Sequence, residues 1–283
     1  MHAVAASQRD LPVAVFDSGV GGLTVLHECL VSLPHEDFLY LGDTGRFPYG
    51  TRSPDELRRF AGELAEILLA EGAKLIVVAC NSATAAALPE LRERLAGRVP
   101  VVAVVAPEAR LAAATTRNGR VGLLATPATV ASGAYDRALA DASGGRAALH
   151  PVATAELAPL IQAGGEIDER TVAAVERACE PLLGAGVDTV ILGCTHYPLV
   201  RPAIQRCLGR GVEIVTSGQA IVDEIERELD AAGSAAPSGR RGDYRFLATG
   251  DVDEFRRLGT RFLQLPIATV GHVPVAAPTE VAA

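Results

Sequence analysis

A single lysine, Lys74, occurs in the 283 residues, and that scarcity bears on one chemical question at once. Pyridoxal phosphate is held through a lysine Schiff base. Lys74 stands where an apolar run begins, at the end of that run opposite the motifs described below. This argues against a pyridoxal enzyme. No CxxC pair and no His-x3-His spacing occurs, which argues against a zinc site or any other bound metal. The five cysteines, an odd number, point to a reducing compartment rather than a disulfide framework, so the expected location is the cytoplasm. Long apolar runs are absent too. The richest stretch, Val99 to Ala114, is broken by Pro100, Pro107, Glu108 and Arg110, and no membrane span is expected. The first ten residues hold no apolar core of signal-peptide length, and no secretory leader is expected there. Positive charge is also in deficit. The net charge is −8, and Arg240-Arg241 and Arg256-Arg257 are pairs rather than patches, which argues against a nucleic-acid binder.

What is present is 49% apolar and 21% charged, the composition of a globular protein with one large or two modest domains. Two stretches organise it. Leu75-Ile76-Val77-Val78-Ala79 stops at Cys80-Asn81-Ser82-Ala83-Thr84, and Thr189-Val190-Ile191-Leu192-Gly193 stops at Cys194-Thr195-His196-Tyr197-Pro198. Each apolar, β-branched run reads as a buried parallel strand, and the hydroxyl and amide residues after each cysteine read as a helix start. Each cysteine is then placed at the carboxyl end of a strand and beside a helix N-terminus. Open α/β sheets bind ligands at that edge, and a helix dipole there is expected to lower a thiol's pKa. The alternative is that both are small core hydrophobes.

Further strands are expected at 13–16, 38–41, 101–105, 121–124, 147–152, 212–215 and 244–248, with helices between them. The glycine-rich turn Asp17-Ser18-Gly19-Val20-Gly21-Gly22 is neither GxGxxG nor a P-loop; it lets a ligand approach backbone N–H groups, and Asp17 either caps the next helix or takes part in chemistry. The loop from Gly42-Asp43 to Pro48-Tyr49-Gly50 is long and rich in turn residues, as binding loops are, with Tyr49 either a lid or a packed aromatic. The separation of Asp17 from Cys80 resembles that of Ala125 from Cys194, which suggests an internal repeat. The fold class is α/β: two similar lobes, each a mostly parallel sheet flanked by helices, with the active site in the cleft between them. The first lobe is expected over 1–104 plus 212–283 and the second over 105–211. Cys29, Cys179 and Cys207 are expected in the core, and the tail from His272 is expected to be loose.

Four motifs in one order, the Asp17–Gly22 turn, the Gly42–Gly50 loop, Cys80-Asn81-Ser82-Ala83-Thr84 and Cys194-Thr195-His196-Tyr197-Pro198-Leu199, resemble the bacterial glutamate racemases of the aspartate/glutamate racemase family. The resemblance spans about residues 12–265. It implies a cofactor-independent, two-thiol racemase of glutamate with two α/β lobes, cytoplasmic and homodimeric, that supplies D-glutamate for peptidoglycan precursors. No nucleic-acid or membrane partner is implied. Cys80 and Cys194 would be the two bases, with Cys80 acting on the D-form and Cys194 on the L-form. Asp17 and His196 would handle protons beside them. Asp17, Ser18, Pro48, Tyr49, Gly50, Asn81, Ser82, Thr84, Thr126, Thr129, Thr195 and His196 would contact substrate. Four features depart from the family's habit: Ser82 stands where threonine is common, Ala125-Thr126-Pro127-Ala128-Thr129 replaces a more glycine-rich turn, Gln162 stands near the position of a common glutamate, and Thr216 where a strand commonly ends in aspartate.

The chemistry suits these residues. Inverting a Cα centre removes a proton from one face and returns one to the other, so two opposed groups, one thiolate and one thiol, are required. Backbone N–H groups and polar side chains such as Ser18, Asn81 and Thr195 are expected to stabilise the charge that spreads into the substrate carboxylate. An aspartate or hydantoin-type racemase on the same scaffold, or a non-catalytic two-lobe amino-acid-binding protein, are the alternatives.

Overall fold

A computed structural model of the chain describes residues 7–163 and 167–276. Strands and helices alternate from the start: β1 (Val13–Asp17), α1 (Leu23–Ser32), β2 (Phe38–Gly42), α2 (Pro54–Ala70), β3 (Leu75–Val78), α3 (Asn81–Leu95), β4 (Val101–Ala103) and α4 (Val105–Thr115). The plan then starts over with β5 (Arg120–Ala125), α5 (Pro127–Ala131), α6 (Ala134–Ser143), β6 (Ala148–Ala153), α7 (Leu157–Gln162), α8 (Glu169–Ala185), β7 (Thr189–Gly193), α9 (Arg201–Leu208), β8 (Glu213–Val215) and α10 (Gly218–Ala231). β9 (Tyr244–Ala248), α11 (Val252–Leu263) and β10 (Gly271–His272) finish the described chain.

The strands form a six-stranded sheet, ordered β10-β9-β2-β1-β3-β4, and a four-stranded sheet, ordered β6-β5-β7-β8. Every pairing is parallel. The order β2-β1-β3-β4 in one sheet is matched by β6-β5-β7-β8 in the other, so the repeat read from the motif spacing exists as topology. Strands β1, β2, β3 and β7 are buried at every position, as helix-covered parallel strands must be, and this explains their unbroken apolar runs.

Local chemistry fixes where the helices begin. Ser53 and Glu56 form a reciprocal capping box at the start of α2, with Pro54 in the first turn. Thr126 caps α5 and Asp168 caps α8. Lys74 precedes β3, at the end opposite Cys80; its ammonium pairs with Glu36 at 2.6 Å and donates to the carbonyls of Arg9 and Ser234. Its role is structural.

Four expectations are corrected. The strand at 213–215, assigned above to the first lobe, pairs with β7 and completes the second sheet. It is the counterpart of β4, which the repeat itself calls for. Residues 104–105 do not extend β4, because α4 already begins at Val105. His272 is not loose: Gly271 and His272 pair with Leu247 and Ala248, and the N–H of Val273 donates to the carbonyl of Ala248. Residues beyond 276 lie outside the described part. Cys29 and Cys179 are buried, but Cys207 is only half-buried, on a short helix with one face towards solvent. No helix among the described residues is long and apolar enough to cross a membrane.

Candidate active site

Parallel register brings the motifs together. β1 and β3 are neighbours, so Asp17 at the end of one and Cys80 just past the end of the other emerge at one sheet edge. β5 and β7 repeat the arrangement with Thr126 and Cys194. The two edges meet at a narrow cavity of about 30 Å³, room for one or two water molecules. Cys80 and Cys194 both line it, and they are only 4% and 7% exposed.

Of the other residues expected from the sequence, Ser18, Pro48, Tyr49, Gly50, Asn81, Ser82, Thr126, Thr195 and His196 line the same cavity. Three do not. Asp17 lies behind it, accepting from the N–H of Gly19 at 3.0 Å and the hydroxyl of Thr195 at 3.3 Å. Thr129 is a supporting residue, in a hydroxyl triangle with Ser82 and Thr126 whose sides are 2.8–3.1 Å; the triangle joins α3 to the α5 turn. Thr84 is turned away from the cavity, its hydroxyl donating to the carbonyl of Val78 at 3.2 Å. Tyr49 is a packed aromatic rather than a lid. Its ring lies 5.4 Å from that of Phe60, and its hydroxyl donates to Asp43. Asp43 also accepts from Arg46 at 2.7 Å and Thr249 at 2.6 Å, so buried charge holds the Gly42–Gly50 loop in place.

Cys80 caps α3, its sulfur accepting from the N–H of Ala83 at 3.5 Å. Cys194 is followed by a short 3-10 turn, Tyr197–Val200, before α9, and its sulfur lies 3.8 Å from Nδ1 of His196. The expectation that helix starts lower both thiol pKa values is overturned. Burial pushes Cys80 up to about 12, with the charge of Asp17 adding to the rise. Burial likewise pushes Cys194 up, against the backbone N–H of His196. In so closed a site, desolvation of the thiolate outweighs the few N–H groups that face it. Burial also raises the Asp17 carboxyl, although the N–H groups of its turn pull it back.

His196 is pressed between the rings of Phe47 and Phe262, at 5.5 and 5.3 Å, and burial lowers its pKa to about 3. The imidazole is therefore neutral. Its Nε2 lies 2.8 Å from Oε1 of Gln162, an oxygen that can only accept, so the ring proton sits on Nε2. The Nδ1 lone pair is left facing Cys194. Gln162, noted in the sequence only as a departure, thus sets the tautomer. Sequence reasoning missed Phe47 and Pro159 among the lining residues, and it missed Glu108 and Tyr135 behind Asn81. No motif marks them.

Among the described residues no lysine or arginine lines the cavity. An anionic ligand there would be met by backbone N–H groups and by the hydroxyls of Ser18, Ser82 and Thr126.

Comparison with known proteins points to one family. The family model for Asp/Glu/hydantoin racemases matches residues 25–225. The glutamate racemase of Beutenbergia cavernae is 46% identical over 266 residues, covering 90% of this chain and 90% of its own length. The crystal structure of glutamate racemase isoform RacE1 from Bacillus anthracis superposes with a TM-score of 0.89 at 37% identity, covering 94% of this chain and 98% of that one. The glutamate racemase of Thermus thermophilus, solved with β-chloro-D-alanine, gives a TM-score of 0.84 at 42% identity, covering 95% and 99%.

Proposed function

The chain belongs to the Asp/Glu/hydantoin racemase family and is an amino-acid racemase, and on that premise we propose that it interconverts L- and D-glutamate with Cys80 and Cys194 as its two bases. One observation carries the reading: each repeat delivers a thiol from the same topological position into one shared cavity. The names of the relatives that match over nine-tenths of the chain favour glutamate over aspartate or a hydantoin.

In one direction the sulfur of Cys194 takes the Cα proton while the thiol of Cys80 protonates the opposite face; the reverse direction exchanges the roles. Neither sulfur rests as a thiolate at neutral pH, given its burial. Cys194 must pass its own proton on first, and Nδ1 of His196 at 3.8 Å is the acceptor in reach, a transfer made uphill by the burial that disfavours both the thiolate and the imidazolium. Asp17 has the matching part beside Cys80, a buried carboxylate whose raised pKa suits it to accept a proton. After a turnover in this direction His196 holds the extra proton and Cys80 is a thiolate; the cycle closes when His196 releases that proton to solvent and Cys80 takes one back, so no net proton is exchanged with the medium. The carbanion's charge spreads into the substrate carboxylate, and the hydroxyl of Ser18 and the N–H groups at the two strand ends would receive it, the Thr195 hydroxyl being spent on Asp17. Glutamate is far larger than the cavity, so the two lobes must part to admit it and close to exclude water. The resemblance extends the proposal to a cytoplasmic homodimer that feeds D-glutamate into peptidoglycan precursor synthesis.

Turnover of L-glutamate in deuterated water tests the reaction. Deuterium is expected at Cα of the D-glutamate formed, together with decay of the circular dichroism signal to zero. Product without label would exclude a proton-transfer racemase.

A second expectation concerns His196. Burial disfavours the cation, so the ring stays neutral as the pH falls through the usual imidazole value of about 6.5 and gains a proton only near 3. In an NMR titration, the ring resonance absent from His196→Asn should hold its neutral position from pH 8 to pH 5. A midpoint near 6.5 would show that the ring is solvated and would overturn its buried, neutral state.

A further inference from the structure

Behind the cavity lies a buried polar cluster that the mechanism does not use. Glu108, on α4, is fully buried, and its carboxylate accepts from side chains on three other segments. Ser217, just before α10, donates to Oε1 at 2.5 Å. Tyr135, on α6, donates its hydroxyl to Oε2. Asn81, the first residue of α3, donates Nδ2 to Oε2 at 3.2 Å. Because the Tyr135 proton is committed to Glu108, the phenol oxygen can only accept, and it accepts the other Nδ2 hydrogen of Asn81 at 2.7 Å. Both N–H bonds of the amide are therefore spent on this cluster. Its Oδ1 is buried without a partner, on a residue 3% exposed that lines the cavity beside Cys80.

An orphaned buried carbonyl oxygen is costly unless a ligand satisfies it, and only a donor can do so. Reading the sequence alone placed Asn81 among the donors to the substrate carboxylate; the cluster reverses that sign. We propose that Glu108, with Tyr135, is a positioning residue that locks the Asn81 amide with its oxygen towards the α-ammonium group of the substrate. The inference rests on the amino-acid racemase reading and refines it, since the enzyme then selects for a free protonated amine next to the reacting carbon. An acid that lacks the amine leaves Oδ1 unsatisfied, a penalty that discriminates more sharply than a missing apolar contact.

Glu108→Gln tests this, because a neutral amide in place of the carboxylate lets the Asn81 amide turn over and spend its oxygen on the cluster. Binding of L-glutamate and of glutarate, which keeps both carboxylates and lacks the amine, is measured by calorimetry on the full-length protein. The measurement is made at pH 8, above the value of about 7 to which burial lifts the Glu108 carboxyl against its three donors. The variant is expected to lose about 10- to 100-fold in affinity for glutamate, the worth of a hydrogen bond to a charged group, with glutarate binding changed less than twofold. Tyr135→Phe, which removes one of the two anchors, should shift the same ratio in the same direction by less, and it carries the test if the first variant does not fold. Ser217→Ala removes a hydrogen bond from the far side of the same carboxylate and should leave the ratio unchanged at a comparable loss of thermal stability. Equal losses for both ligands, or an unaltered ratio in both variants, would overturn the positioning role. Failure of the wild-type protein to bind glutamate at all would overturn the substrate reading, and this proposal with it.

Discussion

Cys80→Ser and Cys194→Ser are each expected to lower the rate of racemisation by at least 10²- to 10⁴-fold, the range for removing a positioned acid–base group, while leaving the fold intact. Position 80 caps α3 through its sulfur, and a serine hydroxyl is a stronger cap than a thiol, so stability at that site should hold or rise slightly. The loss is therefore chemical. A hydroxyl is a far weaker acid than a thiol, and a thiol that burial already holds near 12 leaves no margin for a weaker group. The two variants should also fail differently. Each keeps one competent sulfur, which can remove and return the Cα proton on a single face. Each should then exchange the Cα hydrogen of one glutamate enantiomer with deuterated solvent, and the two variants should choose opposite enantiomers. Proton NMR of the Cα signal, run separately with L- and D-glutamate, reads this directly. Near-normal racemisation in either variant, or loss of label from both enantiomers in one variant, would end the two-base reading.

The strands and the two thiols were legible in the sequence because they obey local rules. A parallel strand covered on both faces must be apolar throughout, and β1, β3 and β7 therefore announce themselves by composition. Chemistry collects where such strands end, so cysteines at those two ends stood out. Depth was not legible. The same Cys80 that a helix start would activate is raised to about 12, because desolvation depends on how tightly the two lobes close over it, and no window of residues records that. The Glu108 cluster was hidden for a related reason. It gathers Asn81, Glu108, Tyr135 and Ser217 from four separate segments, and the last three each read alone as ordinary polar residues. The edge strand β8 was assigned to the wrong lobe because it is short and followed by the chain's return to the first sheet, although the repeat already required a fourth strand there.

Gly21→Ala should be strongly damaging although the residue takes no part in proton transfer. A β-carbon at that position would overlap the hydroxyl oxygen of Thr195 and fall 2.5 Å from Cε1 and Nδ1 of His196. Neither group can yield cheaply. Thr195 is tied to Asp17 at 3.3 Å, and His196 is held by Gln162 at 2.8 Å and by two aromatic rings. The methyl group would therefore push the turn after β7 away from the turn after β1, which are the two segments that must meet for the thiols to share a substrate. Overpacking of this kind costs about 1–3 kcal/mol, and displacing the catalytic geometry by an ångström costs about 100-fold in rate. The expected result is a fall in kcat of that order with a lowered Tm. Gly184→Ala is the matched control. It lies exposed near the end of α8, with nothing within 4 Å of the added carbon, so it should keep full activity and gain up to about 0.5–1 kcal/mol of stability. If the two alanines behaved alike, the close approach of the two turns would not be what holds the thiols to one substrate.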